Sequence, residues 1–283
     1  MSFTIATTVD EAVAAMAEGA TPIAGGTDLV VGARHGKAPL PGDLVAIDRI
    51  DELMAIGQTE NGTSVGALVS HARLMADPIV VGSYTAIADA SALVGSPATR
   101  HVGTIGGNVM NASPAMDTGA PLLVLGAEAE LRSATGSRRV TLDELWTGPG
   151  QTSASADELL IALHLPAPAE RCGSAYVRLE YRRAMEIAVV GAAAGVTLAD
   201  DGSIASAAVA LAAVAPTVMA VDGAGDALVG HSPGEAGDTV AAMAAEQASP
   251  ISDLRASDAY RRHCVGVMAA RAVEAATARA AGQ

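Results

Sequence analysis

The chain has 283 residues, of which 50% are hydrophobic and 2% aromatic, and this is enough for a sizeable core. Its formal net charge of −14 at pH 7 argues against a nucleic-acid-binding surface, because such a surface needs clustered lysine and arginine. Its two cysteines, Cys172 and Cys264, form no CxxC pattern, which excludes a thiolate zinc or iron–sulfur site within the chain.

The N-terminus lacks a basic region followed by an apolar core, so no secretory signal is predicted. The apolar runs are too short and too often interrupted by glycine to span a bilayer. We therefore expect a cytoplasmic protein with no membrane span. The six histidines show no H-x-x-x-H spacing, so no metal site is expected.

The first fifty residues alternate helix and strand. Thr7 or Thr8 can cap a helix through "DEAVAAMAE", and acidic residues are favourable in its first turn. A short strand over residues 21–24, a glycine turn and a helix beginning near Thr27 follow, and "DLVAI" (43–47) is the next predicted strand. This order places the glycine turn at the carboxyl end of a strand, where α/β proteins bind ligands.

A second region begins with a predicted hairpin over residues 53–68, in which Asn61-Gly62 is a strong turn signal. A helical stretch over about 70–93 leads to a second glycine-rich loop, residues 95–117. The remaining elements predicted here are two strands joined by a turn over 121–145, a glycine- and serine-rich loop over 147–157, and a strand over 158–166.

The segment "LPAPAE" (165–170) is the most linker-like part of the chain, so we place a domain boundary near 167–173. Beyond it the pattern predicts two strands around 199–203 and two helices. Those helices are expected over about 235–248 and 257–281. The predicted domains are residues 1–55, 56–168 and 173–283.

Familiar catalytic and nucleotide motifs do not account for the chain. "GARHGK" (32–37) resembles a P-loop, but it has three residues between its glycines instead of four, and Ala38 replaces the magnesium-binding Ser or Thr. No G-x-G-x-x-G follows the first strand, which argues against a Rossmann nicotinamide site. We predict no catalytic side chain.

The first glycine turn, residues 24–28 (Ala-Gly-Gly-Thr-Asp), has the composition of an anion-binding loop. Glycine adopts positive φ readily and lets backbone N–H groups point at an anion without a Cβ in the way. Thr27 is predicted to cap the following helix, whose positive end then faces the same anion. A plain strand-to-helix turn explains this loop equally well.

The second loop changes the balance, because glycines alternate there with short hydrogen-bonding side chains. The glycines are Gly103, Gly106 and Gly107, and the polar residues among them are Thr104, Asn108, Asn111, Ser113 and Asp117. Two such loops, one in each subdomain, suit a long ligand with a diphosphate in its middle. Asp117 is acidic and therefore suits hydroxyl donors on a ribityl chain or ribose. The alternative is a long structural loop stabilised by Asx turns.

"AGGTDL" and "TIGGNVMNASPAMD" resemble the two signature segments of the FAD-binding (medium) subunit of the molybdenum hydroxylase family, the xanthine dehydrogenase and carbon monoxide dehydrogenase group. The similarity runs through the whole chain, including "TTVDEAVAAM", "DELLIALHLP" and "RRAMEIAVVGAAAGV". It implies an α+β fold, in which two subdomains of the PCMH/VAO type clasp FAD. A C-terminal domain of antiparallel sheet and helices follows, as in carbon monoxide dehydrogenase flavoproteins.

The resemblance also implies FAD-binding positions. The residues lining the pyrophosphate and ribityl region are Pro22, Ile23, Ala24, Gly25, Gly26, Thr27, Asp28, Leu29, Thr104, Ile105, Gly106, Gly107 and Asn108. Ser113 belongs to the same polar set, and Asp117 holds flavin hydroxyls. Val94 and Leu160 pack near the cofactor, and Arg178 takes the place of a basic residue near the flavin.

Two residues depart from the family pattern. Met116 stands at a position that is usually small and is expected to crowd the turn at Asp117, and Glu186 stands where the family often has Asp. Tyr176 and Tyr181 lie beside Arg178 in sequence and are candidates to stack on the isoalloxazine ring. Ordinary core packing is the stronger interpretation of each tyrosine.

As function, the resemblance implies an oxidoreductase subunit that carries FAD and passes electrons from the [2Fe–2S] clusters of a small partner subunit to an external acceptor. A molybdopterin-containing large subunit hydroxylates the substrate, and the family arrangement is a dimer of heterotrimers. Two alternatives remain open at this point. One is a self-contained flavin oxidase or dehydrogenase of the related two-loop FAD fold, and the other is a non-catalytic assembly protein that has lost flavin.

Overall fold

A parallel three-stranded sheet opens the structure, which is a computed structural model that describes residues 2–282. The strands lie in the order β1-β3-β2 and are β1 (Ser2–Ile5), β2 (Thr21–Ile23) and β3 (Asp43–Ala46). The helices of this part are α1 (Val9–Ala17) and α2 (Leu29–Arg34). The two predicted strands are confirmed, whereas β1 was not predicted, because all four of its residues are exposed and no buried face marks it.

Helix α1 shows how a sequence pattern becomes packing in this part. The Thr8 hydroxyl accepts a hydrogen bond from the N–H of Glu11 (3.2 Å), which confirms the predicted cap. Val9, Val13 and Met16 share one helix face and are buried in a cluster with Val45 of β3. This packing fixes β3, and with it β2 and the glycine turn that follows β2.

An antiparallel five-stranded sheet forms the second region, with helices packed around it. Its strand order is β4-β5-β10-β6-β7, and the strands are β4 (Ile56–Thr59), β5 (Gly62–Gly66), β6 (Glu128–Ser133), β7 (Gly136–Thr141) and β10 (Leu159–Pro166). A small separate pair consists of β8 (Trp146–Gly148) and β9 (Gln151–Thr152). The hairpin predicted at Asn61-Gly62 and the strand predicted over 158–166 are confirmed.

Short helices fill the connections of this region. They are α3 (His71–Leu74), α4 (Pro78–Ser83), α5 (Thr85–Leu93), α6 (Pro97–Val102), α7 (Ile105–Met110), α8 (Gly119–Val124) and α9 (Leu142–Leu145).

The stretch over 70–93 is helical as predicted, and it is divided into three helices, of which Asp77 and Pro78 begin the second. Two other expectations were wrong in this region. The second glycine-rich loop contains α6 and α7 and is therefore largely helical. The strand predicted to begin at 121 is instead the helix α8, since a short continuous apolar run does not distinguish a buried strand from a buried helix.

The C-terminal part is an antiparallel sheet covered by helices, which confirms the predicted fold class. The strands, in spatial order, are β11 (Cys172–Leu179), β12 (Val190–Leu198), β13 (Ile204–Ala212) and β14 (Met219–Ala220). The helices are α10 (Ala224–Leu228), α11 (Pro233–Gln247) and α12 (Asp258–Ala280). No helix within residues 2–282 is both long and apolar enough to cross a membrane.

This sheet is buried on both faces, and its strands alternate between two cores. Tyr176 and Ala193 point into the core shared with the N-terminal half (residues 2–168), whereas Ala175, Ala192 and Ala194 point into the core beneath α11 and α12. The period of two along a strand produces this division. Burial on both faces explains why "VVGAAAGVTLA" reads as a nearly continuous apolar run.

Residues 230–234 match the Gly-x-Ser-x-Gly pattern of α/β-hydrolase nucleophiles, but their serine belongs to a helix start rather than to a catalytic site. Residues 230–234 read Gly-His-Ser-Pro-Gly, and Ser232 is the N-cap of α11. Its hydroxyl lies 2.6 Å from a carboxylate oxygen of Glu235, and its N–H donates to the same oxygen at 3.1 Å. This is a capping box, in which the serine is held by the helix that it begins.

Two hairpin glycines provide a matched test of strand packing. Gly62 and Gly136 both have positive φ (+142° and +144°), but a Cβ on Gly62 would collide with the Leu165 carbonyl on β10, whereas a Cβ on Gly136 meets nothing within 4 Å. We expect Gly136→Ala to lower the free energy of unfolding by about 1 kcal/mol through backbone strain alone. Gly62→Ala should lower it by a further 1–3 kcal/mol or so. Denaturant unfolding of both variants measures the difference, and equal losses would contradict it.

Candidate functional site

The structure brings the two predicted loops into direct contact. Gly25 lies so close to the Val102 carbonyl that a Cβ on Gly25 would overlap it. A Cβ on Gly103 would lie 3.5 Å from the Thr27 hydroxyl, and the Asn111 amide donates to a carboxylate oxygen of Asp28 at 3.3 Å. Segments about eighty residues apart in sequence therefore form one continuous surface.

The first loop presents backbone donors that the protein does not use. Among the residues that the structure describes, no acceptor lies within hydrogen-bonding distance of the N–H groups of residues 25–29. Gly26 has φ of +66°, and this left-handed residue bends the loop. A run of backbone N–H groups that no protein acceptor uses offers a place for an anionic oxygen.

The predicted cap at Thr27 was wrong. The N-cap of α2 is Asp28, and its side chain makes no capping hydrogen bond. Asp28 already has right-handed helical angles (φ −95°, ψ −48°), whereas a side-chain cap needs an extended residue. The helix has six residues, so the free N–H groups of the loop matter more here than the helix dipole.

The second loop satisfies most of its own donors. Thr104 caps α7 by accepting from the N–H of Gly107 (3.1 Å), and the N–H of Gly106 donates to the Ala67 carbonyl (2.9 Å). Ile105 is buried in the core, so this end of α7 is anchored to the sheet. Gly107 is exposed, and a Cβ there would meet only the Thr104 hydroxyl, at 3.0 Å. The exposed backbone at Gly107 can therefore be approached closely.

Asn108 adds a side-chain donor to this surface. Its Oδ1 accepts from the Thr118 hydroxyl at 2.6 Å, which orients the amide and leaves its Nδ2 available to donate. Ser113 turns inward on its own segment, with its hydroxyl accepting from the N–H of Ala115 at 3.3 Å.

Asp117 lies where the N-terminal half meets β11. Its side chain is held from both sides, because Oδ1 accepts from the Tyr176 hydroxyl (2.8 Å) and Oδ2 accepts from Nη1 of Arg178 (2.9 Å). Burial raises the pKa of Asp117, while the Arg178 charge and the Tyr176 hydrogen bond act in the opposite direction. The carboxylate is thus desolvated and held in place by two donors.

The Arg178 side chain has no exposed surface, and its guanidinium is occupied by the chain itself. Besides Asp117 it donates to the Leu93 carbonyl (3.2 Å) and forms an ion pair with Glu180. Burial alone would lower the pKa of Arg178, but Asp117 and Glu180 more than offset this and raise it. Burial followed by the Asp117 charge raises the pKa of Tyr176, so the phenol remains a donor at neutral pH.

Other predicted positions lie in different environments. Val94 is half-buried at the end of α5, and its carbonyl accepts from Arg100 (3.1 Å). Leu160 is 3% exposed and belongs to the core of the N-terminal half. Tyr176 is also part of that core, whereas Tyr181 is 65% exposed.

The two departures from the family pattern are accommodated locally. Met116 is buried, and it packs so closely over Gly119 that a Cβ there would come within 2.8 Å of Met116 Cγ. The glycine thus makes room for the larger side chain beside Asp117. Glu186 lies near Arg182 (3.4 Å), and its carbonyl accepts from Arg178 (3.4 Å).

Sequence reasoning missed His71, which lies at the junction of the two loops. It is 1% exposed, its backbone N–H donates to the Gly103 carbonyl (3.2 Å), and its ring Nδ1 has no partner among the described residues. Burial lowers the pKa of His71 to about 4, and the charge of Arg100 acts in the same direction. No local pattern marks this histidine, because its burial depends on contacts with residues that are distant in sequence.

Comparisons with known proteins match nearly the whole length of the chain. The family model described as "FAD binding domain in molybdopterin dehydrogenase" matches residues 1–168, and "CO dehydrogenase flavoprotein C-terminal domain" matches 175–276.

Individual relatives cover nearly the full chain. The carbon monoxide dehydrogenase medium chain of Afipia carboxidovorans is 33% identical over 266 residues, which are 94% of this chain and 91% of that protein. The xanthine dehydrogenase FAD-binding subunit of Escherichia coli O157:H7 is 30% identical over 92% of this chain and 90% of its own length. A chain of the solved carbon monoxide dehydrogenase from Hydrogenophaga pseudoflava superposes with a TM-score of 0.93 at 30% identity, covering 99% of this chain and 98% of that one.

The buried His71 predicts a pH dependence of stability. Its folded pKa of about 4 lies below the ordinary 6.5, so between these values the unfolded chain binds a proton that the folded chain does not. Stability should therefore fall as pH falls through this window, by about 3 kcal/mol for this group. Denaturant unfolding at several pH values measures the slope. His71→Gln should reduce it, while the exposed control His101→Gln should keep it, and equal slopes in both variants would contradict the assignment.

Proposed function

The chain belongs to the family of FAD-binding subunits of molybdopterin dehydrogenases, and on that premise we propose that it passes electrons from the [2Fe–2S] clusters of a partner subunit through its FAD to an external acceptor. It is a component of an oxidoreductase, and its cofactor is FAD. The observation that carries the proposal is the contact between the two glycine-rich segments, one of which offers free backbone N–H groups.

The donor set fits a dinucleotide. The free N–H groups of residues 25–29 suit the oxygens of a diphosphate, and the exposed backbone at Gly107 lets the ligand approach α7. We propose that residues 22–29 and 104–108 bind the pyrophosphate and ribityl region and that Asp117 accepts from cofactor hydroxyls. We assign Val94 and Leu160 to packing near the cofactor and Ser113 to the polar residues that line the site.

Arg178 acts in this proposal as a basic residue that supports the site near the flavin. Its donors already serve Asp117, Leu93 and Glu180, and the two carboxylates offset its charge, so it contributes position rather than a free hydrogen bond. Bound FAD supplies the redox chemistry, and the residues of the chain bind and orient it. No side chain of the chain is assigned a proton transfer.

The proposed partners carry the iron–sulfur clusters, since the chain contains only two cysteines. Cys172 and Cys264 are both free, and four thiolates are the usual requirement of a [2Fe–2S] centre. We propose a molybdopterin-containing large subunit and a [2Fe–2S] small subunit as partners, in a dimer of heterotrimers. Two relatives are named as medium chains of carbon monoxide dehydrogenases, and this supports a complex of several chains. We also propose that residues 1–55, 56–168 and 173–283 are the domains of the chain.

Electron transfer can be tested with the complex and with the isolated chain. The purified flavoprotein should not oxidise purines, aldehydes, N-heterocycles or carbon monoxide by itself, but its flavin absorbance should bleach when a reduced [2Fe–2S] partner is added. Substrate turnover by the isolated chain would instead indicate a self-contained flavin enzyme.

A substitution in α7 tests the binding site itself. We expect Gly107→Val to lower retained FAD from about one per chain to a small fraction, because the added side chain would occupy the exposed backbone surface of α7. Released flavin is measured after denaturation, and circular dichroism confirms folding.

The matched control is Gly82→Val in α4, another exposed glycine of a six-residue helix, where an added Cβ meets nothing within 4 Å. This variant should retain FAD at the wild-type level. A folded Gly107→Val protein with stoichiometric FAD would refute the assignment of that segment.

A further inference from the structure

We propose that Tyr176 is a positioning residue for FAD: it holds the Asp117 carboxylate in the orientation in which it accepts hydrogen bonds from cofactor hydroxyls. This inference rests on the proposed FAD site. It assigns to Tyr176 a role different from stacking on the flavin, and it makes β11 of the C-terminal part a functional component of that site.

The hydrogen-bonding capacity of Asp117 supports this role. A carboxylate offers about four acceptor positions on its two oxygens. Two are filled from β11, by the Tyr176 hydroxyl at 2.8 Å and by Arg178 at 2.9 Å. The Asp117 side chain keeps 9% of its surface exposed and accepts no other hydrogen bond from the described residues. In this proposal its remaining acceptor positions serve a ligand whose orientation the two donors determine.

The position of the phenol is built into the sheet. A Cβ on Gly191 of β12 would collide with the Tyr176 hydroxyl and would lie 3.1 Å from the adjacent ring carbon. The absence of a side chain at this position therefore leaves the space that the ring needs to reach Asp117. The main chain of Tyr176 is fixed as well, because its N–H donates to Asp89 on α5 at 3.1 Å.

Arg178 cannot replace the phenol. Its Nε and Nη2 are directed to Glu180, and Nη1 is shared among Asp117 and the Leu93 and Glu186 carbonyls. The ionisable groups that face Asp117 are thus Tyr176, Arg178 and Glu180. Without the phenol hydroxyl, Oδ1 would lose its only donor within the described residues, and the ionised form of Asp117 would be less favoured.

The test is Tyr176→Phe in the full-length chain, which removes one hydroxyl and keeps the ring. We expect the Kd for FAD to rise about tenfold or more, since hydrogen bonds to charged groups are stronger than neutral ones. The pH below which FAD is released should also move upward, because protonation of Asp117 becomes easier. If the ring had a purely structural role, the pH below which FAD is released would stay unchanged.

Tyr84→Phe is the matched control. Tyr84 is also a buried tyrosine, and its hydroxyl donates to the Pro166 carbonyl (2.9 Å) and lies 3.2 Å from the Thr63 hydroxyl. Loss of the Tyr84 hydroxyl should destabilise the fold by a comparable amount without changing the Kd for FAD or the pH below which FAD is released. Equal effects of both substitutions would overturn the proposal.

A double variant decides whether Tyr176 acts through Asp117. If it does, Tyr176→Phe combined with Asp117→Asn should bind FAD no more weakly than Asp117→Asn alone, whereas additive losses would contradict the proposal. Should Tyr176→Phe fail to fold, Gly191→Ala displaces the ring by another route. This variant too must weaken FAD binding and raise the pH below which FAD is released. A wild-type chain that takes up no FAD would refute the site itself, whereas a wild type that binds FAD beside an unchanged Tyr176→Phe would refute only this inference.

Discussion

The ion pair between Asp117 and Arg178 joins the two halves of the molecule at the edge of the candidate site. Asp117 comes from the N-terminal half and Arg178 from β11, and the Arg178 side chain has no exposed surface. A buried ion pair adds little net stability, but removal of one partner leaves an uncompensated charge and costs about 3–5 kcal/mol. We infer that the pair fixes orientation: it requires β11 to lie in one register against the segment that carries the second glycine-rich loop.

The other contacts between the halves depend on the same register. Arg279, near the end of α12, forms a bidentate ion pair with Asp89 (2.6 and 3.0 Å). The Ser174 hydroxyl on β11 accepts from the N–H of Ala86 at 3.1 Å. These bonds surround α5, whose last residue supplies a carbonyl to Arg178. Small side chains on both faces of the sheet allow this close approach.

Local signals in the sequence predicted much of the fold. Asn61-Gly62 identified a hairpin, because a turn depends on few neighbouring residues, and Thr8 identified a helix start for the same reason. The failures occurred where tertiary contacts decide the outcome. Residues 119–124 carry no periodicity that separates helix from strand, and Asp28 begins α2 with its backbone already helical. Both candidate loops were located from their composition, yet the sequence alone does not distinguish the free N–H groups of the first from the self-satisfied cap of the second.

The supports of the site are far apart along the chain. Asp28 and Asn111 are separated by 83 residues, Asp117 and Arg178 by 61, and Asp89 and Arg279 by 190. Because chains are made from the N-terminus and distant contacts form only after loop closure, the glycine segments exist on the ribosome long before Arg279 does. The contacts that brace the two glycine segments are thus complete only after α12 has been made.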